Sequence, residues 1–231
     1  MDVILVPGLW LDAASWNEVI PALERAGPTP HPLTMPGVGV PAASSADIGV
    51  ADWVDAVVAE IDRLGAAVAL VGHSGGGNVV WGAADARPDR VARVIFVDTA
   101  PPPPNADISE FALVEGVVPF PGWEFFDDQD VYDLDEQTRQ RTVALTRSVP
   151  GKVPTDPLRL VNEARWKVPV TVLAGGLDDA SFRTMLQEWP RAAEEFDAIA
   201  DAEIVKLDTG HWPQFSKPAR LSQAMVEALA S

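Results

Sequence analysis

Cysteine is absent from the 231 residues. That excludes disulfides, thiolate nucleophiles and cysteine-ligated metals. Basic residues are scarce: 17 Lys and Arg stand against 34 Asp and Glu, for a formal net charge of −17. So acidic a surface repels nucleic acid and anionic membranes, and neither is expected as a partner. Long apolar runs are also missing, and none approaches the roughly 20 residues that span a bilayer. The opening MDVILVPGLW has no basic leader, so its short apolar run reads as a first strand. These absences lead to the expectation of a soluble, cytoplasmic protein; it is expected to be a monomer, or a homodimer through apolar surface on the insertion or edge strand. With 47% hydrophobic residues, the chain can bury one sizeable core.

What is present alternates. Val3–Val6, Ala67–Gly72, Val91–Asp98 and Val168–Gly176 are apolar runs that stop at glycine, proline or aspartate. Runs apolar at every position suit parallel strands covered on both faces. PHPLTMPG suggests a weaker strand, and Ala202–Asp208 alternates like an edge strand. Helical spacing fills the gaps: Trp53–Leu64, the segment after Gly76, and Pro218–Ala230. Ser15 and Glu18 fit a capping box, with Pro21 expected to kink or shorten the helix that follows. This pattern predicts one α/β domain over residues 1–231, a doubly wound, mostly parallel sheet. Residues 101–167 interrupt the rhythm, opening with four prolines and carrying Trp123, Phe125, Phe126, Tyr132 and Trp166. An insertion of that length at the C-terminal edge of a sheet is expected to form a helical lid. Its stretch EFFDDQDVYDLDE holds acids and no base. It reads as a solvated face that could also disfavour anionic substrates near an entrance.

The segment VALVGHSGGGNVV runs from strand into glycines and then into helix. Gly72-His73-Ser74-Gly75-Gly76 fits Gly-x-Ser-x-Gly in the right context. A strand turning sharply into a helix exposes one side chain, and positions two before and two after it must lack bulk. Ser74 is therefore the expected nucleophile, and the Gly75 amide an oxyanion donor at a helix N-terminus. A serine hydroxyl needs a base. Of the three histidines, His31 lies between two prolines and His73 is expected to point away across the turn. His211, between the last strand and the last helix, is left. The acid that orients it should fall between serine and histidine in the chain. Asp178 in VLAGGLDDASF is the first candidate, with Asp179 and Asp98 open behind it. In VPGLWLDAASW, Gly8 and the Leu9 amide meet the requirement for a second oxyanion donor, and Trp10 is a candidate pocket wall. Trp123, Phe126 and Trp212 are the other expected substrate contacts.

GHSGGG, PGLWLDAASW, GGLD and GHWPQFSKPARL occur in an order and spacing that resemble the α/β-hydrolase fold family along the whole chain. The resemblance is greatest to the small-lidded branch with plant methyl esterases and hydroxynitrile lyases. It implies Ser74 as nucleophile, Asp178 as acid, His211 as base, and Leu9 and Gly75 as the oxyanion hole. Pro7-Gly8 stands where His-Gly is common, and Gly75 where a larger apolar residue is common, which implies a wider pocket floor. The activity implied is hydrolysis of a small, mostly apolar, uncharged ester through an acyl-enzyme, with no cofactor or metal. A lyase of hydroxynitrile type would use the same triad but wants a cation in the pocket. The insertion's bases, from Arg139 to Lys167, are not expected to point inward. A non-catalytic ligand-binding member of the fold is the third alternative.

Overall fold

The computed structural model describes residues 1–230. Six strands form one parallel sheet: β1 (Asp2–Val6), β2 (Thr29–Pro32), β3 (Val68–His73), β4 (Val91–Val97), β7 (Val170–Ala174) and β8 (Ala202–Lys206). Their order is β2-β1-β3-β4-β7-β8. Two-residue strands β5 (Val117–Val118) and β6 (Val149–Pro150) pair antiparallel in the insertion. The helices are α1 (Ile20–Ala26), α2 (Ala42–Ser45), α3 (Val50–Leu64), α4 (Gly76–Ala86), α5 (Asp128–Val131), α6 (Glu136–Val143), α7 (Asp179–Leu186), α8 (Pro190–Asp197), α9 (Pro213–Ser216) and α10 (Pro218–Ala230).

Every position of β3 and β7 is buried, as continuous apolar strands require. Successive side chains take opposite faces. Val3 and Leu5 pack with Leu23 of α1 and Leu221 and Met225 of α10. Ile4 and Val6 pack with Val57 and Ile61 of α3 and Val79 and Val80 of α4. The chain steps outward from β1 to β2, then returns past β1 to β3 and continues the other way. Loops at the C-terminal ends of β1 and β3 therefore diverge and open a crevice, the usual ligand position in such sheets.

Two local expectations are corrected. Ser15 does not open a helix: Asp12 caps a short 3-10 turn at Ala13–Trp16, and the Ser15 hydroxyl donates to the Asp12 carbonyl. The helix begins at Ile20, so Pro21 sits in its first turn, where the missing N–H costs nothing. Arg165 does point inward, but into the core. It is 2% exposed and bonds Asp85 at 3.1 Å and Glu195 at 2.8 Å. Glu195 also accepts from the indoles of Trp81 and Trp166. This buried charge group joins α4 to α8.

Candidate active site

The turn between β3 and α4 holds Ser74 at φ +50°, a left-handed conformation costly for a non-glycine residue. Crowding around it explains the glycines. A Cβ at Gly72 would lie 2.5 Å from the Gly76 carbonyl oxygen, and one at Gly76 would lie 2.5 Å from that of Pro7. The Ser74 amide donates to the Val97 carbonyl at 3.1 Å, which ties the elbow to the end of β4.

The loop after β1 lies against this elbow. A Cβ at Gly8 would be 3.2 Å from Ser74 Cβ, and one at Gly75 would be 3.2 Å from Leu9 Cγ. The expected oxyanion residues are therefore neighbours. The Gly75 position is not an enlarged floor, because Ile108 of the insertion comes within 3.0 Å of where a Cβ would stand.

His211 is held at three points. Its amide donates to the Asp130 carbonyl at 2.8 Å. Its own carbonyl accepts from His73 Nε2 at 2.7 Å. Its ring Nδ1 lies 2.6 Å from Asp98 Oδ2. With Nδ1–H donating to the Asp98 carboxylate, Nε2 is the bare nitrogen available as a base. The other Asp98 oxygen accepts from the Gly175 amide at 2.7 Å. Burial pushes the Asp98 carboxyl up, but the His211 hydrogen bond and charge, and then the Gly175 amide, outweigh it and hold it below its ordinary value. Asp98, like Ser74, sits at positive φ (+47°) just past its strand.

Asp98, not Asp178, is thus the acid on His211. Asp178 is the N-cap of α7: its carboxylate accepts from the Ser181 amide at 2.9 Å, and that bond holds its carboxyl low. Asp179 pairs with Arg183 one turn on. A good N-cap and an orienting acid look alike in sequence. Only the sheet order, which puts β4 directly beside β3, brings Asp98 to the site.

His73 does not simply turn away. Its buried ring lies under the His211 loop, 5.0 Å from the His211 ring, with the Gln214 amide 3.3 Å from Nδ1. Burial, then the His211 charge, drives its pKa down to about 3 despite the bond to the His211 carbonyl. It therefore stays neutral, donating from Nε2 and accepting at Nδ1.

Ser74 and His211 line one cavity of about 300 Å³ with Leu9, Trp10, Ile108, Ser109, Phe111, Phe126, Asp130 and Trp212. Of the expected contacts, Trp10, Phe126 and Trp212 face this space. Trp123 does not: it packs behind Trp212 with Leu134 and Phe215, and its indole donates to the Arg139 carbonyl. Sequence reasoning missed Ile108, Ser109, Phe111 and Asp130, for which no spacing signal exists in an irregular insertion. It also missed Asp133, whose Oδ2 accepts from the Gly210 amide at 2.9 Å. Two members of the acidic stretch therefore clasp the His211 loop.

Comparison with known proteins agrees with this architecture. The chain is 28% identical over 135 residues to rat (Rattus norvegicus) bifunctional epoxide hydrolase 2, a match covering 55% of this chain and spanning only about a quarter (24%) of that protein's length. It is 25% identical over 263 residues to probable esterase PIR7A of Oryza sativa subsp. indica, covering 98% of this chain and 96% of that one. The crystal structure of the methylesterase MES16 from Arabidopsis superposes with a TM-score of 0.76 at 20% identity, over 100% of this chain and 99% of that one. Residues 3–224 match the alpha/beta hydrolase family, and the chain belongs to it.

Proposed function

We propose that this protein is a carboxylic ester hydrolase working through an acyl-enzyme on Ser74. The observation that carries the reading is His211, fixed by Asp98 in the tautomer that leaves Nε2 bare, in a cavity shared with a strained Ser74. Ser74 Oγ attacks the ester carbonyl carbon while His211 Nε2 takes the hydroxyl proton. The amides of Leu9 and Gly75 receive the charge that builds on the carbonyl oxygen, each worth about 3 kcal/mol of barrier. The tetrahedral adduct collapses, the C–O bond to the alcohol breaks, and His211 returns the proton to the leaving oxygen. Water then enters, gives a proton to the same nitrogen and attacks the acyl carbon. The acid departs and Ser74 recovers its proton.

The aromatic and aliphatic walls favour a small, mostly apolar acyl or alcohol group. The cation that lyase chemistry would want is missing, since neither lysine nor arginine lines the cavity among the described residues. The test is a fluorophosphonate probe with peptide mapping of the labelled residue. Labelling at Ser74 that collapses in His211→Ala, and hydrolysis of short p-nitrophenyl esters, is the expected result. A folded protein that takes no label would overturn the reading.

A further inference from the structure

Four of the residues around the Ser74 cavity are aromatic: Trp10, Phe111, Phe126 and Trp212. They meet edge to face, Trp10 and Phe111 at 4.8 Å and 76°, Phe126 and Trp212 at 4.6 Å and 73°. Ring faces are electron-rich and attract cations, most strongly in a site screened from water. Besides His211 and the buried, neutral His73, the one ionisable residue lining the space among the described residues is Asp130. Among the described residues Asp130 has no Lys or Arg partner, although its backbone carbonyl is committed to the His211 amide. Burial pushes its carboxyl up, opposed by the His211 charge. A half-buried carboxylate with no Lys or Arg beside it favours a cationic group in the cavity. The net charge of −17 adds a field that gathers cations and repels anions.

We propose that Asp130 and the aromatic walls select small esters that carry a positively charged nitrogen, a protonated or quaternary ammonium, and reject esters that carry a free carboxylate. Asp130 is then the specificity-determining residue of the cavity. This rests on the ester-hydrolase reading and sharpens its substrate class.

The test uses three p-nitrophenyl esters of matched length: pentanoate, 4-(trimethylammonio)butanoate, and the half-ester of glutarate. At low salt, kcat/KM for the cationic ester should exceed that for the anionic one by roughly 100-fold. Asp130→Asn, which keeps an oxygen acceptor, should cut that ratio by about tenfold or more. Glu124→Gln, which removes one charge from the same acidic stretch but away from the cavity, should leave the ratio nearly unchanged. If no ester in the panel turns over, fluorophosphonate labelling of Ser74 gives the readout: tetraethylammonium should slow it in the parent protein and much less in Asp130→Asn. Labelling at Ser74 with a flat charge ratio, no tetraethylammonium protection, or equal loss of the ratio in Glu124→Gln overturns the charge preference while the hydrolase reading stands. Failure of Ser74 to label in folded protein overturns both.

Discussion

Asp98 and Asp178 each follow a buried strand, and each carboxylate accepts a backbone amide, but only Asp98 reaches the His211 ring. Their substitutions should separate cleanly. Asp98→Asn, which favours the wrong imidazole tautomer, should lower kcat by roughly 10³- to 10⁴-fold with the fold intact. Asp178→Ala should leave kcat near the parent value and reduce only the stability of α7, through loss of its cap. Steady-state kinetics with a p-nitrophenyl ester, beside thermal melts, reads both. Equal losses of kcat in the two variants would return Asp178 to the site. The strain at Ser74 and Asp98 falls at the same place in the fold: each is the first residue past a central strand and takes a positive φ.

At the scale of elements, the insertion lines the cavity and also holds the His211 loop. α5 and the turn after it present the Asp130 carbonyl to the His211 amide and the Asp133 carboxylate to the Gly210 amide. A Cβ at Gly210 would lie 2.3 Å from the Asp130 carbonyl oxygen, so the two segments are in direct backbone contact. Asp133→Ala leaves the Gly210 amide unpaired, at an expected stability cost of about 1–3 kcal/mol. Because the loop it frees carries His211, kcat should fall more than KM rises. Asp133→Asn, which keeps an acceptor, should recover most of both. Urea titration and steady-state kinetics on the pair check this. Unchanged kcat in Asp133→Ala would show that the loop is held well enough by His73 and Asp98.

For the whole molecule, His73 links stability to pH. Its folded pKa, lowered by burial to about 3, lies below the ordinary 6.5 of the unfolded chain. Between those values the unfolded state binds a proton that the folded state does not, so stability falls as the pH drops from 6.5 towards 3. The full effect is on the order of 4 to 5 kcal/mol. The urea midpoint should decline steadily from pH 7 to pH 4, and His73→Gln should flatten that decline. Over most of this window Asp98, held low by His211, stays ionised, and its contribution fades only as the pH falls below its ordinary value of 3.8. The buried Arg165, Asp85 and Glu195 join the elbow helix α4 to α8, a link with no sequence pattern because its members are 80 and 30 residues apart.

Local chemistry made much of this protein legible without coordinates. The four inner strands of the main sheet are written as apolar runs, α3 as a 3.6-residue period ending in a left-handed Gly65, and the elbow as Gly-x-Ser-x-Gly between strand and helix. His211 followed by elimination, since the chain has only three histidines. Each of these signals lies within a few residues of the feature it specifies. The tertiary structure decided what depends on distant segments meeting: that β4 lies beside β3 and brings Asp98, not Asp178, to His211, that Trp123 packs behind the cavity wall, and that an acidic stretch read as solvated turns Asp130 and Asp133 inward. An aspartate reads the same in sequence whether it caps a helix, clasps a loop or orients a base. The neighbour that distinguishes these roles is supplied by the fold.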